Sequence, residues 1–365
     1  MVTGTVLFEP FQLRGVTLRN RIGVSPMCEY SSVDGFAGDW HLVHLGSRAV
    51  GGAGLVFTEA AAVTAEGRIS PSDLGIYDDA HVAMLSRITA FVAAQGAVPG
   101  IQLAHAGRKA STKRPWDGNG NVPPSSGGWT DVLAPSPIAF EPDMLVPHEI
   151  DEARIAQVID TFARAAKRAE RAGFQVVELH GAHGYLMHEF LSPLSNRRTD
   201  RYGGSFDNRV RFVREVVEAV RRVWPERYPL VLRISASDWA PGGWTIDDSV
   251  ELARVVAPLG VDLIDASSGG AIPDARIITG PGYQVPFAER IRRESGVPTA
   301  AVGMITDPQQ AEAIVADGQA DIVLLARELL RDPYWPLRAA HALGLEPAYP
   351  AQYERAKPRR ARVPA

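Results

Sequence analysis

Eight short apolar runs, each turning polar or glycine-rich where it ends, alternate along this chain with segments of helical period, and together they predict a (β/α)8 TIM barrel. The runs are rich in Val, Ile and Leu and unbroken by polar alternation, as strands buried on both faces read. No GxGxxG follows any of them, so a doubly wound dinucleotide-binding sheet has no support. Such a sheet would also show fewer strands in a less even rhythm.

Residues 7–21 hold two short alternating segments around Arg14-Gly15 and predict an N-terminal β-hairpin. The first run, Ile22–Val24, leads into Ser25-Pro26-Met27-Cys28. The second, 54–57, leads into Thr58-Glu59-Ala60. The third, 98–103, carries Gln102 and ends at Ala104-His105-Ala106-Gly107-Arg108. The fourth, 176–179, is followed within six residues by His180, His183 and Tyr185, with Gly181 and Gly184 expected to turn the backbone. The fifth, 230–234, contains Arg233 and ends in Ser235. The sixth, 263–266, ends in Ser267-Ser268-Gly269-Gly270. The seventh and eighth, Thr299–Val302 and Ile322–Leu325, end at Gly303 and at Ala326-Arg327.

Helical period fills most of the intervals. Asp151 is suited to cap a helix whose buried face is Ile155, Ile159, Phe162, Ala166 and Ala169, with Gly173 ending it. Thr245 with Asp248 forms a capping-box pattern, and Asp307-Pro308 places a cap before a proline in the first turn. Residues 210–223 and 287–293 have the same period. One connection breaks the rhythm. Residues 111–147, after the third strand, are rich in Pro, Gly, Ser and Asn and carry Trp116 and Trp129. A loop of that length in a compact domain is expected to serve as a capping loop over the strand ends. The tail, 351–365, ends in the basic Lys357-Pro358-Arg359-Arg360-Ala361-Arg362, which reads as a solvated face.

Residues 1–365 read as a single barrel domain with 45% hydrophobic and 22% charged residues, an ordinary globular composition. A net charge of -4 implies no general attraction to nucleic acid. Cys28 is the sole cysteine, which excludes an intramolecular disulfide and a four-cysteine zinc site. Residues 1–10 lack a basic region followed by an apolar segment, and no apolar stretch approaches the roughly 20 residues that span a bilayer. The expectation is a soluble, cytoplasmic protein with no membrane or nucleic-acid partner.

In a barrel of this kind the active site lies at the C-terminal ends of the strands. That rule gathers Ser25 to Cys28, Ala60, Gln102, His180, His183, Tyr185, Arg233, Gly303, Ala326 and Arg327 at one mouth. The ends of the last two strands leave backbone N–H groups open before a helix, an arrangement suited to a phosphate. Tight turns alone would also explain those small residues.

Several long motifs in order carry a family resemblance. They are Ser25-Pro26-Met27-Cys28-Glu29-Tyr30, Gln102-Leu103-Ala104-His105-Ala106-Gly107-Arg108-Lys109-Ala110 and His180-Gly181-Ala182-His183-Gly184-Tyr185-Leu186. Ser195-Asn196-Arg197-Arg198-Thr199-Asp200-Arg201-Tyr202-Gly203-Gly204-Ser205 and Arg327-Glu328-Leu329-Leu330-Arg331-Asp332-Pro333 complete the set. Together they resemble the old yellow enzyme family, in its bacterial NADPH dehydrogenase and xenobiotic reductase branch, which has cysteine after Ser-Pro-Met. The likeness spans residues 7 to about 355.

The resemblance implies a non-covalent FMN, NADPH or NADH as a transient hydride donor, and reduction of activated C=C bonds. Enones, enals, maleimides and some nitro compounds are the implied acceptors. Ser25, Pro26, Met27, Cys28, Ala60, Gln102 and Arg233 would hold the isoalloxazine ring, with Arg233 placing a fixed positive charge at its N1–C2 edge. Gln102 offers both a donor and an acceptor to the pyrimidine edge. Gly303, Ala326 and Arg327 would take the phosphate; many relatives have glycine where Ala326 stands, a change that spares a backbone N–H contact. His180 and His183 would bind the substrate oxygen, Tyr185 would supply the proton, and Tyr30 would line the pocket. Cys28 would sit beside the ring. Gln352-Tyr353-Glu354-Arg355 resembles a segment whose arginine enters a neighbouring subunit's site, implying a homodimer or homotetramer in which Arg355 helps bind substrate. Ala356-Lys357 replaces the Gly-Trp often found next.

Two other readings use the same residues. A metal-dependent barrel hydrolase could employ His180 and His183 with His41, His44 or His105, but no carboxylate stands beside the pair and the flavin motifs would go unexplained; no metal is expected. A flavin-binding protein without catalysis would not need His180, His183 and Tyr185 together. A dienoyl-CoA reductase on this fold would need an iron–sulfur segment that one cysteine cannot supply.

Overall fold

The computed structural model describes residues 5–357. A hairpin of β1 (Phe11–Leu13) and β2 (Val16–Leu18) leads into the barrel. Its strands are β3 (Ile22–Val24), β4 (Leu55–Ala62) and β5 (Val98–Ala104), then, after the two-residue strands β6 (Leu133–Ala134) and β7 (His148–Glu149), β8 (Val176–Gly181), β9 (Leu230–Ser235), β10 (Leu263–Ser267), β11 (Thr299–Val302) and β12 (Ile322–Leu325). The closed order is β3-β4-β5-β8-β9-β10-β11-β12, with β12 returning to β3 and every pair parallel. The eight runs are therefore the eight staves, and the predicted (β/α)8 barrel is the observed fold.

Helices lie between the staves: α1 (Asp39–Val50), α2 (Val82–Ala94), α3 (Glu152–Arg171), α4 (Leu186–Leu191), α5 (Phe206–Arg209), α6 (Arg211–Arg221), α7 (Ile246–Val256), α8 (Val285–Ser295), α9 (Pro308–Ala316), α10 (Arg327–Arg331) and α11 (Trp335–Ala342). Their starts follow the expected chemistry. Asp151 accepts the Arg154 N–H, Thr245 and Asp248 close a reciprocal capping box, and Asp307 accepts the Gln310 N–H ahead of Pro308. The face of α3 that includes Ile155, Phe162, Ala166 and Ala169 is buried and packs against α6. Among the described residues no helix is long and apolar enough to cross a membrane.

The hairpin plugs the barrel. Leu13, Val16 and Leu18 join Leu55, Phe57, Val98, Val176, Val231, Leu263 and Leu324 in one apolar cluster inside the staves. Closing the N-terminal end in this way confines polar side chains to the other end, which places the site.

Two local expectations change. β4 was expected to end at Phe57, yet it continues to Ala62, all eight residues buried. A register shift between Phe57 and Ala60 lets the strand continue and sets Ala60 opposite Gln102. Gly181 closes β8 as a strand residue rather than turning the chain, and the turn falls on residues 183–184. The 111–147 segment contains short 3-10 turns at Pro115–Asp117 and Pro124–Ser126, and β6 within it pairs with β7 just after it. Of the tail, residues 351–356 form an exposed 3-10 turn, and residues 358–365 lie outside the described residues.

Candidate active site

β8 brings His180 into register with Arg233 of β9. The chain then bends through two consecutive left-handed residues, His183 (φ 60) and Gly184 (φ 72). A Cβ on Gly184 would sit 2.0 Å from the Gly270 carbonyl oxygen, so only glycine fits there. His183 is held in its strained conformation from three sides. Its N–H donates to Ser235 Oγ at 2.9 Å, its carbonyl accepts from Lys109 Nζ at 2.7 Å, and its Nε2 lies 2.7 Å from Ser267 Oγ. Below the bend, His188 Nδ1 accepts the Gly184 N–H at 2.8 Å, which leaves Nε2–H to donate to Asp238 at 2.8 Å. Burial pushes the Asp238 carboxyl up, but the His188, Ser192 and Trp244 donors together hold it below its ordinary value.

The three side chains read from the sequence converge. The His180 ring packs edge-on against His183 and Tyr185, with centroids 5.2 and 4.9 Å away. Burial, reinforced by the Arg233 and Lys109 charges, holds both imidazoles well below their usual value, so they are neutral at pH 7. His180 Nδ1 accepts the Ala182 N–H at 3.4 Å, leaving Nε2 as the protonated nitrogen. Burial likewise raises the Tyr185 phenol well above its usual value, so it keeps its proton. The mouth therefore presents uncharged N–H and O–H donors.

Beneath them lies a charged layer resting on the apolar plug. Gln102 Nε2 donates to Glu178 Oε1 at 2.7 Å, and Arg233 Nη1 donates to Ser25 Oγ at 3.0 Å. Arg233 Nε stands 3.2 Å from Asp265 Oδ2. Gln102, Glu178, Arg233 and Asp265 are all buried.

A cavity of about 320 Å³ runs from Arg233 to Gly303, Ala326 and Arg327. It joins the Arg233 guanidinium to the turns that end β11 and β12, where a phosphate could be received. The backbone N–H groups of Gly303, Met304 and Ala326 have no backbone partner among the described residues. A Cβ on Gly303 (φ 120) would meet Gln284 Nε2 at 2.7 Å, so the cradle tolerates only glycine. Arg327 is exposed at the rim, and the neighbouring Glu328 carboxylate pairs with Arg331 rather than with it. Open N–H donors and a guanidinium with no partner among the described residues fit a phosphate monoester.

Pro26, Met27, Cys28 and Tyr30 are half-buried at the end of β3. Burial pushes the Cys28 thiol well up, so it is not a thiolate. The segment that holds it is tied down because the Glu29 N–H donates to Glu59, which in turn meets His41 at 2.9 Å. Cys28, Tyr30 and Tyr185, together with Trp129 and Leu145 of the 111–147 segment, pack against a buried cluster of Ile69, Ala106, Ala110 and Val132. Tyr30 also meets Trp116 edge-on at 5.6 Å, and Lys109 Nζ lies 3.9 Å over the Phe140 ring.

Of the residues read from the sequence, Arg355 alone stands apart. It is exposed on the C-terminal 3-10 turn and no contact to the other site residues is found for it among the described residues. Sequence reading passed over Lys109, Glu178, Asp265, Ser267 and Gln284 as working parts. Lys109 and Ser267 lie in strand-end stretches, where polarity itself was the available signal. Glu178 and Asp265 sit inside apolar runs, where a lone carboxylate was the cue. Among the described residues, no group of three or more His, Cys, Asp or Glu is arranged to hold a metal ion.

Comparison with known proteins agrees with this geometry. The family model for the NADH:flavin oxidoreductase / NADH oxidase family matches residues 6–346. An NADPH dehydrogenase of Geobacillus thermodenitrificans is 51% identical over 353 residues, covering 96% of this chain and 98% of that one. An NADPH dehydrogenase of Bacillus cytotoxicus is 49% identical, covering 96% and 97%. Among solved structures, morphinone reductase superposes with a TM-score of 0.79 at 28% identity, covering 94% of this chain and 91% of that one. Histamine dehydrogenase from Rhizobium sp. 4-9 superposes with a TM-score of 0.78 at 28% identity and covers 92% of this chain. The chain spans about half the length of that protein and of 2-naphthoyl-CoA reductase, which is similar at a TM-score of 0.83. With a family model over nearly its whole length and relatives at half identity, the chain belongs to the NADH:flavin oxidoreductase / NADH oxidase family, the FMN-dependent oxidoreductases of old yellow enzyme type.

Proposed function

We propose that this protein is an NADPH-dependent ene-reductase, reducing C=C bonds conjugated to a carbonyl or nitro group. The observation that carries the reading is the convergence of three neutral donors, His180, His183 and Tyr185, next to Arg233 and Ser267, which line a cavity running to Arg327. Bound FMN would supply the hydride-transfer chemistry between NADPH and the alkene. The residues do the rest. His180 and His183 hold the substrate oxygen by N–H donation, which polarises the double bond toward its β-carbon. Their neutrality suits this, since a charged imidazolium would favour binding anions over enones.

Tyr185 gives its phenolic proton to the α-carbon, a general-acid step worth roughly 10²- to 10⁴-fold in rate. Gln102, Ala60 and the backbone of Ser25 to Cys28 would hold the flavin ring, with Arg233 supplying a positive charge beside it. Gly303, Ala326 and Arg327 would hold its phosphate. Trp116, Trp129 and Phe140 of the 111–147 segment cap the pocket beside Tyr30 and exclude water. With no separate dinucleotide fold, NADPH and the alkene use one mouth in turn, so ping-pong kinetics follows.

Arg355 enters a neighbouring subunit's pocket in a homodimer or homotetramer, and there it helps bind substrate. Its own chain leaves it exposed, which supports that assignment. Arg355→Ala should raise the acceptor KM without changing the FMN spectrum; an unchanged KM would remove the shared-site part of the proposal.

The test of the whole reading is spectroscopic. The purified protein should be yellow, bleach anaerobically with NADPH, and recover colour on addition of cyclohexenone. A protein that bleaches but does not recover with any enone, enal, maleimide or nitroalkene is an NADPH-dependent flavoenzyme of different acceptor class.

A further inference from the structure

The charged layer beneath the mouth contains two carboxyl groups that the proposed reaction does not use. Glu178 of β8 and Asp265 of β10 are both fully buried. They lie within hydrogen-bonding reach of each other, inside the barrel between Gln102 and Arg233. Their lone pairs are poorly satisfied. Glu178 Oε2 and both Asp265 oxygens have no hydrogen-bond donor, and the Arg233 Nε contact to Asp265 is ionic rather than a well-aligned hydrogen bond.

Two facing carboxylates with no donor between them describe an acid pair that is short of one hydrogen. A single proton would supply the missing donor, and it would remove a repulsion that a low-dielectric interior makes costly. The partners decide where it sits. Asp265 has the guanidinium of Arg233 beside it, so it keeps the negative charge. Glu178 has only the neutral amide of Gln102, so it takes the hydrogen. Burial pushes the Glu178 carboxyl well up, and the nearby Asp265 charge pushes it further.

We infer that Glu178 and Asp265 share one proton beneath the flavin site, making Glu178 a neutral positioning residue that orients Gln102 and leaves Arg233 balanced by a single carboxylate. This rests on FMN lying over Arg233, as proposed above. The arithmetic matters for the cofactor. One cation and one anion make a neutral floor, whereas two anions would leave a net negative charge where a reduced flavin gathers its own. With Nε2 committed to Glu178, the Gln102 side-chain oxygen has no hydrogen-bond donor among the described residues and is free to accept.

The test has two arms. Infrared difference spectra of the protein at pH 7, with and without FMN, should show the C=O stretch of a buried carboxylic acid, shifted in deuterium oxide and lost in Glu178→Gln. That arm does not depend on the flavin, so its failure separates from failure of the ene-reductase reading. In the holoenzyme, Glu178→Gln should change the ratio of reduced to oxidised FMN affinity by less than about threefold, since a neutral amide replaces a neutral acid. Glu178→Gln with Asp265→Asn removes the remaining anion and should favour reduced FMN by tenfold or more, about 30 mV for a two-electron couple. The proposal is overturned if the acid band is missing, or if Glu178→Gln alone moves the ratio tenfold. If the double variant fails to fold, the infrared band and the single variant still decide.

Discussion

The imidazole of His183 meets the hydroxyl of Ser267 at 2.7 Å, a side-chain link from the bend after β8 to the end of β10 that passes over β9. It fixes the ring of a residue whose backbone is already strained, so the nitrogen proposed to face the substrate is set before any ligand arrives. Ser267→Ala frees that ring. One net hydrogen bond is worth about 1 kcal/mol, so the acceptor KM should rise about fivefold while FMN affinity stays within twofold. Steady-state kinetics and a flavin titration check it; an unmoved KM would mean the link is only structural.

Tyr185→Phe removes the phenolic hydroxyl but keeps the ring that packs on His180. Stopped-flow measurements should show bleaching by NADPH within a fewfold of normal, and reoxidation by an enone slower by roughly 10²- to 10⁴-fold. Equal slowing of both halves would point to a misplaced flavin instead of a lost proton donor.

Arg327 is the exposed cation at the open end of the cavity. A charge-assisted hydrogen bond contributes about 1.5–3 kcal/mol, so Arg327→Ala should weaken FMN binding by roughly ten- to a hundredfold. The loss should be smaller for riboflavin, which lacks the phosphate. Fluorescence titration of the apoprotein with both compounds makes the comparison.

His105 is buried, its Nδ1 accepting the Gly107 N–H at 3.1 Å while Nε2 has no partner among the described residues. Burial pulls its imidazole down to about 4. The unfolded chain therefore takes a proton near pH 6.5 that the native state refuses until about pH 4. Stability is lost as pH falls through that window, by about 3 kcal/mol in total, and no further below it. His180 and His183, also held low, add in the same direction. His105→Asn keeps an acceptor for Gly107 without the titration. Its Tm should fall less than the parent's between pH 7 and about pH 4.5, and parallel pH profiles would refute the assignment.

Most of the barrel and most of the mouth were legible along the chain. Burial on both faces writes each stave as an apolar run, and the fold places every strand's C-terminal end at one opening, so polarity at those ends marks the site. That logic reached His180, His183, Tyr185, Gln102, Arg233 and Arg327, and the motifs around them were long enough to indicate the family. It could not end β4 correctly, because the register shift that carries the strand past Phe57 is set by pairing with β5 and leaves no local signature.

Partnership was decided by the tertiary structure alone. Apolar periodicity reports that a side chain is buried and says nothing of which strand lies opposite. Gln102 and Glu178 are 76 residues apart and hydrogen-bonded only because the barrel sets β5 beside β8. Asp265 reaches Arg233 because β10 follows β9 in the ring, and the hairpin plug below leaves both no solvent to turn to. Single carboxylates inside two apolar runs thus became, on closure of the barrel, a pair with one proton between them.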